Sequence, residues 1–390
     1  MNKIKGVNLG NWLVLEKWMN LSMFDGTSAE DEYHLPLQLS KEAYEARIKI
    51  HRSEYITERD FAYIAHLGMN SVRIPVPYFI FGDRAPFIGC IEELDKAFSW
   101  AEKYGLSILI DLHTVPLSQN GFDNGGICGV CRWSQTPDEV AYVLDVLEKL
   151  AARYGQHKAL LGIQPVNEPL TEGVWELFDI ENRYKAADPE MAKGNAPVSL
   201  DFLYQFYTDA YHRIRKHTDK TVVFHDGFQL GVWENFFKQG NFENVILDTH
   251  QYLMVAEGKG CKQNLESYLT YIENELAKPI AEVQKYVDVI CGEWSLFNSY
   301  AVGRDTKGGQ SVLNGIDCTG HAEMTQEETA HIYQTLAKAQ LNAWANGVGY
   351  YYWNYKLLLD TVNDPNWFGW DSWDFGKCVS HGWFPIHDNA

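Results

Sequence analysis

The stretch "LLGIQPVNEP" occupies residues 160–169 and leads a nearly unbroken apolar run directly into Asn167, Glu168 and Pro169. Short continuous apolar runs of this kind are typical of parallel strands that are buried on both faces. Proline lacks a backbone N–H and does not continue a central strand. The stretch therefore predicts a buried strand that stops at an amide and a carboxylate.

The same kind of apolar run recurs along the whole chain, and helical patterns lie between most of the runs. Such an alternation predicts a single (β/α)8 TIM barrel, in which functional groups come from the C-terminal ends of different strands. A doubly wound sheet is the competing architecture, but no Gly-rich phosphate turn supports it. We expect one domain over residues 1–390. The predicted strands are 5–10, 70–77, 106–113, 160–167, 220–227, 244–252, 287–294 and 347–355.

Three helix starts are recognisable from their capping residues. "TPDE" at 136–139 has the pattern of a capping box with proline at the first helical position. Thr57 with Asp60, and Thr325 with Glu328, predict two further starts.

Three connections are much longer than a simple crossover and are rich in Gly, Asn, Asp and aromatic residues. They cover residues 10–55, 170–218 and 296–324. In a barrel of this type the long loops after the strands build the cleft. We therefore expect enlarged loops to form the active-site pocket.

Composition and charge exclude several classes of protein. The 390 residues are 46% hydrophobic, and 52 acidic against 33 basic residues give a net charge of −19, which disfavours binding to nucleic acid. No apolar window approaches the ~20 residues that a membrane span needs. We expect a soluble monomer, either cytoplasmic or secreted with its signal removed.

Seven scattered cysteines are too few and too odd in number for a disulfide framework. Cys128 and Cys131 form one CxxC, which is half of a zinc site, a redox pair or a pair of ordinary loop thiols. Because a second CxxC or a nearby HxxxH is missing from the sequence, loop thiols are the favoured reading, and no metal or cofactor is predicted.

A second glutamate ends a strand in the same way as Glu168. "VDVICGEWS" at 287–295 leaves Glu293 at the end of its own apolar run. Retaining glycosidases use two carboxyl groups ~5–5.5 Å apart, one of which attacks the anomeric carbon. Since strands four and seven end at different sides of a barrel mouth, the two glutamates are candidates for such a pair.

Four more polar residues end predicted strands, beside an aspartate on strand three. Arg73 in "VRIP" is able to pin a carboxylate through a bidentate hydrogen bond. Side chains alternate along a strand, so Asp111 and His113 share one face, as do His250 and Tyr252. Polar strand ends that converge with two glutamates predict a catalytic site.

A series of motifs follows in order along the chain: "GVNLGNWLVLEKWM", "VRIP", "DLH", "SQNGFDN", "NEP", "HQY", "GEW" and "YYWNYK". Together they resemble glycoside hydrolase family 5, in particular its exo-β-1,3-glucanase branch. The resemblance extends from Gly6 to "WDFGKCVSHGWFP" near the end of the chain. It implies a retaining (β/α)8 hydrolase that works without a metal.

The resemblance also implies roles for the residues of these motifs. Glu168 would be the acid/base and Glu293 the nucleophile. Asn167 would hold the sugar 2-hydroxyl, while Arg73 and Tyr252 would support Glu293.

Further roles follow from the same resemblance. His113 and His250 would bind hydroxyls or tune the acid, and Trp353 would be the platform under the sugar in subsite −1. Glu16 and Asn124 match positions that hold the non-reducing-end glucose and close the pocket.

The sequence departs from the family pattern near subsite +1. Phe122 matches one of two phenylalanines that clamp the next sugar, but Val255 stands at the second clamp position. "GGICGVCRW" at 125–133 follows "FDN" where the related enzymes place an acidic residue. The linkage preference is therefore open.

The expected activity is that of an exo-acting glucan 1,3-β-glucosidase that releases glucose from a β-glucan by double displacement. A β-glucosidase acting on small or aryl β-glucosides, an endo-β-glucanase of the same family, and a non-catalytic carbohydrate-binding barrel are the alternatives. Product analysis on laminarin separates exo from endo attack.

Overall fold

Eight β-strands form a closed barrel and follow one another around it in chain order. A computed structural model describes residues 3–305, 324–364, 367 and 369–386. Every predicted strand is present, and the (β/α)8 prediction is confirmed. The strands are β1 (Ile4–Asn8), β2 (Ser71–Val76), β3 (Ser107–Leu112), β4 (Leu160–Gln164), β5 (Thr221–His225), β6 (Val245–His250), β7 (Asp288–Trp294) and β8 (Gly349–Tyr352).

Helices lie between the strands. The longer ones are Lys41–Glu54, Glu58–His66, Ile91–Tyr104, Pro137–Tyr154, Leu200–Arg215 and Gln326–Trp344. One helical stretch runs from Leu265–Tyr271 through a π-helical part, Ile272–Ala277, into Lys278–Val283. The shorter α-helices are Leu35–Gln38, Trp175–Phe178, Ile180–Arg183, Pro189–Ala192, Glu234–Gly240, Ser299–Asp305 and Phe375–Ser380. Among the helices of the described ranges, none combines the length and apolar character needed to cross a membrane.

The chain separates into two compact units, residues 9–249 and residues 1–8 with 250–390. In the first unit β2 to β6 pair in parallel, with Pro75 opposite Asp111 and His225 opposite Asp248. These strands are buried along nearly their whole length, as expected of a parallel sheet covered on both faces. One catalytic domain over the full chain stays a prediction.

Close packing in this unit requires a glycine at one position of β4. A Cβ added to Gly162 would lie 2.4 Å from the carbonyl oxygen of Thr221 on β5. Glycine in a strand interior often marks such a close approach of two backbones.

In the second unit β8 pairs in parallel with both β7 and β1. Asn8 at the end of β1 is fully buried and donates from Nδ2 to the carbonyl oxygen of Gly292 at 2.9 Å. The same Nδ2 lies 3.4 Å and 3.3 Å from the carbonyl oxygens of Tyr351 and Tyr352. One side chain thus joins the ends of three strands.

Two predicted helix starts have the expected capping geometry. The N–H of Thr57 donates to Asp60 Oδ2 at 2.7 Å, and the helix begins at the next residue. The N–H of Thr325 donates to Glu328 Oε2 at 2.7 Å, and the N–H of Glu328 donates back to Thr325 Oγ1 at 3.1 Å. Both predictions are confirmed.

The third helix begins at Pro137 as predicted, but the capping box at 136–139 is wrong. The hydroxyl of Thr136 donates to the carbonyl oxygen of Arg132 at 3.2 Å instead of capping the helix. The preceding 3-10 turn, Trp133–Gln135, places that carbonyl within reach of the hydroxyl.

The enlarged connection at 170–218 holds three one-turn helices before the long helix Leu200–Arg215 begins. The predicted long connection at 296–324 falls largely on residues 306–323. This range, which includes Cys318, lies outside the described residues.

Candidate active site

Glu168 lies beyond the end of β4, which stops at Gln164. Its φ is +43°, a left-handed conformation that is uncommon for a residue with a side chain and is found often at functional sites. The side chain is buried, and its Oε2 accepts a hydrogen bond from Asn124 Nδ2 at 2.6 Å. Asn124 Oδ1 in turn accepts from Asn120 Nδ2 at 3.1 Å, which fixes the orientation of the amide.

Asp123 adds a second acidic group beside Glu168. Burial raises the pKa of the Asp123 carboxyl from its usual value of 3.8 to about 6, and the charge of Glu168 contributes to the rise. The backbone N–H groups of Asp123 and Asn124 oppose it. The two carboxyl groups are therefore coupled, and a charge on one disfavours a charge on the other.

His225 at the end of β5 is a site residue that the sequence analysis did not single out. A ring nitrogen of His225 and a carboxylate oxygen of Glu168 lie within 4.8 Å of one another. His225 is fully buried, and its Nδ1 accepts from the N–H of Gly227 at 3.0 Å. The signal was present, because "VVFHDG" ends a strand in a histidine just as "DLH" and "DTH" do.

Asn167 is held in place by Arg73. Arg73 Nη2 donates to Asn167 Oδ1 at 2.7 Å and lies 3.1 Å from Asp111 Oδ2, while Nε donates to Gln164 Oε1 at 2.9 Å. All four residues are fully buried. Asn167 Nδ2 has no hydrogen-bond partner among the described residues, so it is available to a ligand hydroxyl. The predicted support of Glu293 by Arg73 stays a prediction.

His113 connects Asp111 to Glu16. Its Nδ1 lies 2.6 Å from Asp111 Oδ2, and its Nε2 lies 3.9 Å from Glu16 Oε1. Glu16 Oε2 accepts from Trp18 Nε1 at 2.9 Å. Since the imidazole and both carboxylates are buried, this row of charged and polar groups forms a fixed wall rather than a solvated surface.

Phe122 lies in an aromatic cluster. Its ring centroid is 5.1 Å from that of Phe178, 5.6 Å from Tyr184 and 6.2 Å from Phe228. Val255, at the second predicted clamp position, lies in a 3-10 turn and is 45% exposed. It does not supply an aromatic ring at this position. The predicted contact of Phe122 with a sugar stays a prediction.

Cys128 and Cys131 are buried thiols and do not form a disulfide. Burial raises the pKa of Cys131 to about 12 and raises that of Cys128 further. Thiols of this kind remain protonated and are poor nucleophiles.

Glu293, in the other unit, belongs to β7 itself and is buried. Its Oε2 accepts from the hydroxyl of Tyr252 at 2.7 Å and lies 3.4 Å from His250 Nδ1. Hydrogen-bond donors on a carboxylate oxygen favour its charged form. An ionised, fixed carboxylate is the state that a nucleophile requires.

Aromatic rings pack against Tyr252, the donor to this carboxylate. The ring of Tyr252 lies 5.3 Å from that of Trp373, which stacks on Phe297 at 5.2 Å. Trp353 directly follows β8 and is buried, and its backbone N–H donates to the carbonyl oxygen of Trp294 at 2.7 Å. The peptide bond between Trp353 and Asn354 is cis.

Comparison with known proteins places this geometry in a family. The family model for cellulase (glycosyl hydrolase family 5) matches residues 40–311. Probable glucan 1,3-beta-glucosidase A of Emericella nidulans is 33% identical over 404 residues, which cover 98% of this chain and 90% of that protein. Glucan 1,3-beta-glucosidase of Candida oleophila is 31% identical over 417 residues, which cover 98% of this chain and 89% of that protein.

Solved structures share the fold. The crystal structure of AoRut has a TM-score of 0.72 at 21% identity and covers 99% of this chain and 98% of its own. Rutinosidase from Aspergillus niger has a TM-score of 0.71 at 19% identity and covers 98% of both chains. At these identities the likeness speaks for the fold alone. The family model and the two relatives together show that this chain belongs to glycosyl hydrolase family 5 and is a glycoside hydrolase.

Proposed function

We propose that the chain is an exo-acting glucan 1,3-β-glucosidase that releases glucose from non-reducing ends with retention of configuration. Related proteins named glucan 1,3-beta-glucosidase match nearly its whole length. The observation that carries the catalytic assignment is that the hydroxyl of Tyr252 and a ring nitrogen of His250 face one oxygen of Glu293. We also propose that the two units form one catalytic domain. We propose further that the protein is a monomer, and light scattering tests its molar mass in solution.

In the first step Glu293 attacks the anomeric carbon of the terminal glucose. A C–O ester bond forms to Glu293 while the glycosidic C–O bond breaks, and Glu168 transfers its proton to the departing oxygen. Asp123 lies next to this acid, and a charge on either carboxyl disfavours a charge on the other.

In the second step water replaces the ester bond. Once Glu168 has given up its proton it accepts one from the attacking water, whose oxygen bonds to the anomeric carbon as Glu293 departs. Both steps invert the same carbon, so the released glucose keeps the β configuration.

The glucose is held by buried polar groups on the first unit. Glu16, fixed by Trp18 and next to His113, provides a carboxylate for sugar hydroxyls. Asn167 Nδ2 provides the donor for the 2-hydroxyl. Hydrogen bonds to the 2-hydroxyl strengthen in the transition state of glycoside hydrolysis.

The products of polymer hydrolysis test this function. Laminarin, a β-1,4-glucan and a β-1,6-glucan are incubated with the enzyme, and products are followed with time by chromatography and the anomer by NMR. Glucose as the sole early product from laminarin, as the β anomer, is expected. A ladder of laminari-oligosaccharides would show endo attack, and the α anomer would contradict retention.

A β-glucosidase acting on aryl β-glucosides is the second candidate. It is favoured by the aromatic cluster around Phe122, next to the loop residues that contact Glu168. The test compares kcat/KM on laminaribiose with kcat/KM on an aryl glucoside whose phenol is weakly acidic. A value an order of magnitude higher on the aryl glucoside would favour this candidate.

A further inference from the structure

Glu32 is a buried acid that the proposed catalytic steps do not use. It is 1% exposed, and its Oε2 accepts a hydrogen bond from the N–H of Leu15 at 3.1 Å. Leu15 directly precedes Glu16, whose own N–H donates to Asn11 Oδ1 at 3.0 Å. The carboxyl of Glu32 therefore fixes the backbone from which Glu16 projects.

The neighbours of Glu32 hold a second segment of the site. Asp31 Oδ2 accepts from the N–H of Cys128 at 2.8 Å, and the N–H of Tyr33 donates to the carbonyl oxygen of Gly126 at 3.0 Å. These contacts fix the backbone immediately after Asn124, the residue whose amide binds Glu168.

A small cavity lies between Glu32 and a third segment. Its volume is about 10 Å³, about the size of one water molecule, and Thr114, Gly125 and Gly126 line it with Glu32. Glu32 Oε1 and Thr114 Oγ1 are buried oxygens without a hydrogen-bond partner in the part of the chain that the structure describes. Thr114 directly follows His113, so the cavity brings a third segment of the site next to Glu32.

The surroundings of this carboxyl oppose its ionisation. Burial is the largest cause and raises the pKa of Glu32 from 4.5 to about 7; Arg52 and the N–H of Leu15 lower it. The guanidinium of Arg52 is shared, because its Nη1 also donates to the carbonyl oxygens of Ile88 and Gly89 at 3.0 and 2.8 Å. The other titratable groups around the carboxyl are Asp31, Tyr44, Tyr78 and Cys90.

We propose that Glu32 is a positioning residue for the glucose-binding end of the site, and that its change of proton state alters how tightly Glu16, Asn124 and His113 are held. The proposal rests on the proposed role of these residues in binding glucose. When protonated, Glu32 accepts from Leu15 and is able to donate across the cavity to Thr114. When ionised, it has no proton to donate and adds a charge to a poorly solvated cluster, which draws water inward and loosens the three segments.

Glucose inhibition at different pH values tests this role, with kcat and KM measured on an aryl β-glucoside. In the wild type the inhibition constant for glucose rises about fivefold or more from pH 5.5 to pH 8, in the range of typical coupling between linked sites. Glu32→Gln keeps an acceptor for Leu15 and a donor for the cavity but does not titrate, so its inhibition constant rises by a smaller factor than that of the wild type. The rise that remains comes from other titrating groups of the site, Asp123 among them. Glu30→Gln is the matched control: its side chain is 66% exposed, and the variant follows the wild type.

Thermal unfolding supplies a readout independent of activity. The folded pKa of Glu32 lies above its unfolded value, so its stabilisation is complete below about pH 4.5 and is lost as the pH rises through about 7. The melting temperature of the wild type therefore falls more between pH 5 and pH 8 than that of Glu32→Gln.

The proposal is overturned if Glu32→Gln retains the wild-type pH dependence of glucose inhibition. Thr114→Val is a second variant: it removes the proposed acceptor for the proton of Glu32, so the protonated state loses this contact and glucose inhibition becomes less sensitive to pH. A wild-type curve contradicts the proposal. If laminarin is not hydrolysed while Glu32→Gln still weakens the pH dependence on the aryl glucoside, the polymer substrate is wrong and the role of Glu32 stands.

Discussion

The two proposed catalytic carboxylates are held in different ways. Glu293 is part of β7, and one of its oxygens faces both the hydroxyl of Tyr252 and a ring nitrogen of His250. Glu168 stands past the end of β4 on a left-handed backbone, and an amide from Asn124 contacts it.

The electrostatic surroundings differ in the same direction. A phenol and an imidazole face one oxygen of Glu293, and the hydrogen bond from the phenol stabilises the carboxylate. Glu168 has the acidic Asp123 nearby, which opposes a second negative charge. The two carboxylates thus have different surroundings, and this difference supports the proposal that they do different tasks.

The largest expected effect is that of Glu293→Gln. It removes the attacking oxygen charge, so we expect kcat to fall on the order of 10⁴-fold or more on every substrate. Stopped assays on laminari-oligosaccharides and an aryl glucoside measure the loss, and an unchanged melting temperature shows that the fold is intact. Glu282→Gln, an exposed glutamate of the same unit, is the control. Activity within tenfold of the wild type would end the assignment of Glu293 as nucleophile.

A smaller and substrate-dependent loss is expected for Glu168→Ala. Without the acid, substrates with poor leaving groups lose about 10²–10⁴-fold in kcat/KM, whereas aryl glucosides with acidic phenols keep most of their rate of ester formation. A series of aryl glucosides plotted against phenol acidity measures this dependence. The exposed Glu172→Gln is the control. An equal loss along the whole series would remove the distinction between the two carboxylates.

Tyr252→Phe sharpens the comparison further. The variant removes one hydrogen bond to a charged group, worth ~1.5–3 kcal/mol, which corresponds to a loss of about 10- to 100-fold in kcat. The ring remains packed against Trp373, so the melting temperature should change little. If the melting temperature falls while kcat is unchanged, Tyr252 supports the fold and not the nucleophile.

The smallest expected effect concerns Asp123→Asn and pH. The folded pKa of about 6 lies above the unfolded value of 3.8, so the stability contributed by Asp123 is present at low pH and lost as the pH rises through 6. A difference of two pKa units corresponds to ~3 kcal/mol in the free energy of unfolding. Because solvent reaches this half-buried group, we expect Asp123 to contribute less than that. Urea unfolding at pH 4 and pH 7 should show a shallower decline in the variant. Identical declines would mean that Asp123 is not a raised-pKa neighbour of Glu168.

Some features were predictable because they depend on local pattern. The apolar runs identified all eight strands, and two capping boxes marked helix starts correctly. The predicted capping box at 136–139 is wrong because the Thr136 hydroxyl donates to a carbonyl oxygen of the preceding turn. That contact depends on backbone geometry.

Other features required the folded chain. The amide of Asn124 reaches Glu168 across 44 positions of sequence, and His225 comes near the same carboxylate from a third strand. The sequence contains Asn124 and His225 but does not show that either residue lies near Glu168. Residues far apart in sequence meet only through strand register and loop conformation.

The amino-acid sequence by itself determined the class of fold, the family and the two candidate carboxylates, because hydrophobic periodicity and strand-end chemistry are local properties. Only the tertiary structure decided which partners surround each carboxylate and that Glu32 is buried against the backbone that precedes Glu16. The physical reason is that burial and electrostatic surroundings, which govern proton state, are sums over neighbours that the chain acquires only on folding.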